Sequence, residues 1–260
     1  MSYYLILAFI LLVFVNLWFI ISLITKRNDV ADIAWGLGFI LLTWSSFFIA
    51  DIKGTRGILT GLLISIWGFR LAWHIHTRNK GKEEDYRYLA WRNQWGKWFL
   101  LRSYFQVFIL QGIFLFIIIL PVLVINKTEA TELSWIDAFG FTIWIIGFYF
   151  ETVGDFQLFR FKQNQANKGK LMQEGLWSIT RHPNYFGEVT MWWGIWIIAT
   201  SLPLGWITLI GPITITYLIL KVSGIPMLEK KMELHPDFEN YKKKTSAFIP
   251  WLNVPKITSK

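Results

Sequence analysis

A chain of 260 residues with 54% hydrophobic side chains, 16 tryptophans and a positive mean hydropathy is more apolar and aromatic than a soluble domain of its length. It has no cysteine, which excludes disulfide staples, thiolate catalysis and cysteine-held metal. The net charge of +9 raises a nucleic-acid reading that the placement of the charges removes. The expected class is all-α: a polytopic membrane bundle, one integral domain over 1–260.

In chain order, apolar stretches long enough to cross a hydrocarbon core as helices fall at about 3–24, 30–50, 58–76, 105–125, 136–158, 185–200 and 204–222, which makes seven transmembrane helices. The first lacks the basic region and small-residue cleavage site of a secretory signal, so it is expected in the mature chain. Ser201-Leu202-Pro203 reads as a tight hairpin between the last two. Apart from Lys53, Arg56, Lys127 and the in-helix Arg70, every Lys and Arg falls on the side that holds the C-terminus. By the positive-inside rule that side is cytoplasmic, which leaves the N-terminus periplasmic and the protein in the inner membrane. The charge excess is then a topology signal with affinity for anionic headgroups or a phosphorylated ligand, and nucleic acid has no part.

Polar groups inside such helices are costly, so they are paired for structure or kept for function. On the third helix Arg70 and His74 stand at i, i+4, with Arg70 able to snorkel, and Gly57 and Gly61 form a small-xxx-small pair suited to close helix contact. On the fifth, Glu151 and Asp155 share a face near the cytoplasmic end, either as a solvated interfacial pair or as working groups. The four histidines show no metal-ligand spacing, and Lys242-Lys243-Lys244 reads as a solvated, lipid-facing run.

The segment from Gly175 through Arg181-His182-Pro183-Asn184-Tyr185-Phe186-Gly187-Glu188 carries the most information. Pro183 suits the first position of a helix, which puts Arg181 and His182 at a helix N-terminus where free N–H groups and the macrodipole favour an anion. Asn184, Glu188 and Trp192 follow at i, i+4, i+8 and place an amide, a carboxylate and an indole on one face. A capped helix with an aromatic interface belt accounts for Trp192 and Trp193 but leaves an intramembrane Glu188 unexplained.

These residues, with the following Trp-Trp-Gly, Leu228-Glu229-Lys230-Lys231, Tyr241 and Phe248-Ile249-Pro250-Trp251, resemble the C-terminal half of the steroid 5-alpha-reductase superfamily, and most closely its uncharacterised bacterial branch. The resemblance extends upstream to Asp32-Ile33-Ala34-Trp35-Gly36, to Gly81 through Tyr88, and to Gly154-Asp155-Phe156-Gln157. It implies a seven-helix reductase that binds NADPH in its C-terminal half, about 136–260, and reduces an activated carbon–carbon double bond in a steroid-like or other enone lipid. By matching positions, Asn184, Tyr185, Glu188 and Trp192 would line the nicotinamide and ribose pocket, and Glu151 and Asp155 would approach from the fifth helix. Lys162, Lys170, Arg181 and His182 would meet the phosphates, and Tyr241 lies where the tail folds back over the cofactor. The steroid enzymes have arginines where Lys162 and Lys170 stand, and lysine binds phosphate as a point charge rather than a fork. They hold the substrate ketone with a glutamate on the second helix and a tyrosine on the third. The nearest polar residues here are Asp32, a donor if its site keeps it protonated, with Arg70 and His74, and the third helix has no tyrosine.

The Arg-His-Pro-x-Tyr element also occurs in isoprenylcysteine and phospholipid methyltransferases, which use S-adenosylmethionine, and Glu229 with the Phe238, Tyr241 and Pro250 tail fits them too. The upstream matches and the supply of Lys and Arg favour the reductase, because a dinucleotide carries several phosphates and S-adenosylmethionine none. A lipid-binding protein without catalysis is the third reading.

Overall fold

The computed structural model describes residues 2–51, 53–128 and 132–251; it is 80% helix, with no strand among the described residues. In chain order the helices are α1 (Tyr3–Thr25), α2 (Val30–Ile49), α3 (Thr55–Asn79), α4 (Tyr86–Ile118), α5 (Leu120–Lys127), α6 (Trp135–Gln163), α7 (Pro183–Thr200), α8 (Gly205–Met232) and α9 (Phe238–Lys244). Of these α1, α2, α3, α4, α6 and α8 are long and apolar enough to cross a membrane, which is the architecture of a multi-pass membrane protein.

Six such helices stand where the sequence analysis expects seven. The remaining stretch, 185–200, is helical within α7, but Asn184, Glu188 and the indoles of Trp192, Trp193 and Trp196 leave it less apolar than the others. Helix α4 starts at Tyr86, well before the expected 105, and bends at Gly96, where φ is +48°. Helix α8 is interrupted at Ser223-Gly224. By contacts the chain forms two compact units, Met1–Asp137 with Ala199–Gly211 and Ala138–Ile198 with Pro212–Lys260.

In the first unit α1 buries Leu7, Leu11 and Val15 along one stripe while Leu5, Phe9, Leu17 and Ile20 face outward. An outer face as apolar as the core suits a helix whose solvent is lipid. Helices α2 and α3 meet backbone to backbone at Gly36 and Gly68, where a Cβ on either would lie 2.6 or 2.7 Å from the other's carbonyl oxygen. Gly57 and Gly61 make close helix contact as expected, through side chains that pack on them: Phe47 and Asn126 on Gly57, and Trp44 on Gly61. The hairpin at 201–203 forms as expected, with Leu204 at φ +64° and the Gly205 N–H donating to the Leu202 carbonyl.

Arg56 and Asp137 form a buried ion pair at 2.7 Å between the first turns of α3 and α6. Asp137 also accepts from the Ser134 backbone N–H at 2.6 Å and hydroxyl at 2.9 Å, and Arg56 donates to the Glu132 carbonyl at 2.8 Å. Removing one partner of such a pair strands the other charge, at a cost of about 3–5 kcal/mol. Arg56→Ala should therefore lower the unfolding midpoint in detergent by more than the double variant Arg56→Ala/Asp137→Ala, which strands no charge. Equal midpoints for the two would remove the pair as a determinant of stability.

Candidate functional site

The second unit is built on a seven-residue repeat of glycine. Gly140, Gly147 and Gly154 lie two turns apart on α6 and face Gly194, Gly187 and the Pro183-Asn184 turn of α7. A Cβ on Gly187 would lie 2.4 Å from the Glu151 backbone nitrogen, and one on Gly147 2.6 Å from the Gly187 carbonyl oxygen. The two backbones therefore touch, and the polar side chains beside the glycines are drawn into one layer. Across it the Asn184 amide donates to Asp155 at 3.1 Å. Glu151 is 2% exposed and Asp155 8%; Trp192 is buried, while Asn184, Tyr185 and Glu188 are half-buried. A carboxylate at this depth costs several kcal/mol unless something compensates it, so two buried acids with an amide between helices form a prepared polar site in an apolar surround.

Pro183 opens α7 as its ring predicts. The residues before it are engaged by the protein itself. Arg181, 5% exposed, donates from Nε to Glu229 at 2.8 Å and places Nη2 2.7 Å from the same carboxylate oxygen. Its Nη1 reaches the carbonyls of Lys242 and Thr245, and its backbone N–H donates to Ser246 at 2.8 Å. His182, 1% exposed, lies with Nε2 3.2 Å from Glu229 and stacks on Tyr185. The phosphate role expected of Arg181 and His182 thus meets side chains already turned inward, because Glu229 supplies the anion. Thr180 donates to the Phe248 carbonyl at 2.9 Å and the Trp251 N–H to Ile179 at 2.9 Å, so the tail lies along 179–181 as a strap.

Tyr241 is buried beneath that strap. Its hydroxyl donates to the Trp177 carbonyl, and burial pushes the phenol above its ordinary value, so it supports the Trp177 turn rather than standing open to a ligand. Trp177 in turn donates from Nε1 to the Gly154 carbonyl at 3.0 Å. Lys162 and Lys170 are exposed, with Lys168 between them. The loop that carries Lys168 and Lys170 is fixed by the His235 Nε2–H, which donates to the Gly169 carbonyl at 2.6 Å, while the Asp237 N–H donates to Nδ1 at 3.1 Å.

Asp32, Arg70 and His74 all belong to the first unit. Asp32 accepts at both oxygens, from Arg87 Nη2 and from the Tyr88 hydroxyl, each at 2.7 Å. That is an acceptor's environment, whereas the expected role was donor. Tyr88 reaches Asp32 from near the start of α4. Beside it, burial pushes the Asp85 carboxyl up, but the hydrogen bond and charge of Arg87 outweigh this and hold it below the ordinary value. Arg70 and His74 are half-buried one turn apart on α3.

A family model described as Protein of unknown function (DUF1295) matches residues 18–245. The chain belongs to this family. The match covers the polar layer of α6 and α7 and the Arg181–Glu229 pair. No curated protein and no solved structure matches the chain.

The clamp predicts that Arg181→Ala and Glu229→Ala each destabilise the protein by about 3–5 kcal/mol, since each strands a partly buried charge. Protease accessibility of the tail beyond Thr245 should rise in both variants. A variant as stable as wild type, with its tail still protected, would contradict the clamp.

Proposed function

We propose that this protein is a membrane-embedded reductase that uses NADPH to reduce an activated carbon–carbon double bond in a lipid, as its resemblance to the steroid 5-alpha-reductase superfamily implies. In this reading α7 is a seventh crossing, the C-terminus is cytoplasmic and the membrane is the bacterial inner membrane, which the distribution of Lys and Arg supports. The observation that carries the proposal is the polar layer of α6 and α7, with buried Glu151 and Asp155, the Asn184 amide on Asp155, and Glu188 one turn farther along α7.

NADPH, when bound, supplies the hydride. The residues present fit it at two points and fail to fit at a third. Asn184 and Glu188 offer an amide and a carboxylate to a carboxamide, and the acids favour the positive charge that loss of hydride leaves behind. Lys162, Lys168 and Lys170 are exposed cations suited to phosphate, and Lys162 stands seven residues, about 10 Å along one helix, beyond Asp155. Arg181 and His182 are assigned instead to the Glu229 clamp. Asp32, Arg70 and His74 remain the substrate-side assignments, resting on the resemblance alone.

One observation favours a second reading. With Arg181 engaged by Glu229, the supply of phosphate ligands shrinks, and an acidic layer also suits the sulfonium of S-adenosylmethionine. The proposal is tested with Glu188→Gln and Glu188→Leu in detergent, by NADPH affinity, NADPH oxidation with a panel of enone lipids, and thermal stability. Losing a charged hydrogen bond costs about 1.5–3 kcal/mol, so Glu188→Leu should bind NADPH roughly tenfold or more weakly while remaining folded. Glu188→Gln should fold at least as well as wild type and lose most turnover. Wild-type NADPH affinity in Glu188→Leu, or binding of S-adenosylmethionine alone by wild type, would overturn it.

A further inference from the structure

We propose that the corner of α4 around Lys97 and Arg102 binds the phosphate of an anionic phospholipid in the adjoining leaflet, independently of the reading above. At this end of the first unit four carboxylates are already matched, and the exposed Glu83 is not among them. Asp29 pairs with Arg27 at 2.6 Å, Asp32 and Asp85 with Arg87 at 2.7 and 2.9 Å, and Glu84 with Arg92 at 3.0 Å. Lys97 and Arg102 are exposed, and among the described residues neither has a carboxylate within ion-pair distance. Each lies against an indole, Lys97 5.9 Å from the Trp98 ring centre and Arg102 6.0 Å from that of Trp95. Trp95 is itself stacked on Trp91 at 5.3 Å.

The bend at Gly96 sets these groups where α4 turns from a charged segment into an apolar one. Trp98 is 54% exposed, and Leu100 and Leu101 beside it are 56% and 52% exposed. Lys97, Trp98 and the leucines thus follow one another in the order phosphate, glycerol region and acyl chain of a lipid, and Arg102, after the leucines in sequence, turns its guanidinium back to Trp95. A free phosphate would use the cations but make no use of the indole and leucines beside them. An acidic protein surface would face the same mismatch. Indoles favour the headgroup level, and each cation near an anionic surface contributes about 1 kcal/mol, or about fivefold in affinity.

The test is native mass spectrometry of the intact protein in detergent with equimolar phosphatidylglycerol and phosphatidylcholine. Wild type should retain phosphatidylglycerol preferentially, and Lys97→Gln/Arg102→Gln should lower that preference about 25-fold, two fivefold steps. The charge-keeping variant Lys97→Arg/Arg102→Lys should retain it, which separates loss of charge from loss of fold. An unchanged preference in the neutral variant, or a loss matched on neutralising the exposed Lys242, Lys243 and Lys244, would overturn the site.

Discussion

The contact that the candidate site depends on is the approach of two helix backbones, α6 and α7, at their glycines. Because Gly147 and Gly187 have no side chain, the carbonyl of one and the backbone beside Glu151 occupy the space a Cβ would fill. Asn184 and Asp155 then meet at 3.1 Å, a distance that a separation of even a methyl group would remove. Between helices in lipid no hydrophobic driving force favours association, so close packing and the hydrogen bonds it permits decide the geometry. The same interaction that joins the helices therefore sets the polar groups.

Which cations are free for a ligand follows from which are held by the protein. Arg56, Arg87, Arg92 and Arg181 each face a carboxylate; Arg56 is buried with Asp137, and Arg181 is buried against the half-buried Glu229. A buried guanidinium with satisfied donors is costly to move, because its partner would be left as an uncompensated charge. Arg181 accordingly acts on the tail, through Glu229 and the carbonyls of Lys242 and Thr245, and so closes the turn that introduces α7. Lys168 and Lys170 differ in kind: they are exposed, on a loop pinned at Gly169.

Much of the architecture is legible along the chain, because membrane helices satisfy their backbones locally and announce themselves by apolar length. The start of α7 at Pro183 and the turn at 201–203 are legible for the same local reason. Helix α4 is misjudged because Arg87, Arg92, Lys97 and Arg102 interrupt hydropathy without interrupting the helix. The glycine repeat at 140, 147, 154, 187 and 194 stands in the sequence, but its meaning needs the pairing of two helices. Pairings over long separations are harder still: no local signal joins Arg181 to Glu229, 48 residues on, or Arg56 to Asp137, 81 residues on. Those two pairs decide whether an arginine serves a ligand or the fold.

The proposed reading makes the α6–α7 layer a nucleotide site. Its most direct test is a titration of the full-length protein in nanodiscs, following the intrinsic fluorescence of the dihydronicotinamide ring with S-adenosylmethionine as competitor. Binding at this layer predicts a saturable change in NADPH emission that S-adenosylmethionine does not reverse and that Asp155→Leu abolishes while the protein stays folded. No change in emission with wild type, or full displacement by S-adenosylmethionine, would contradict it.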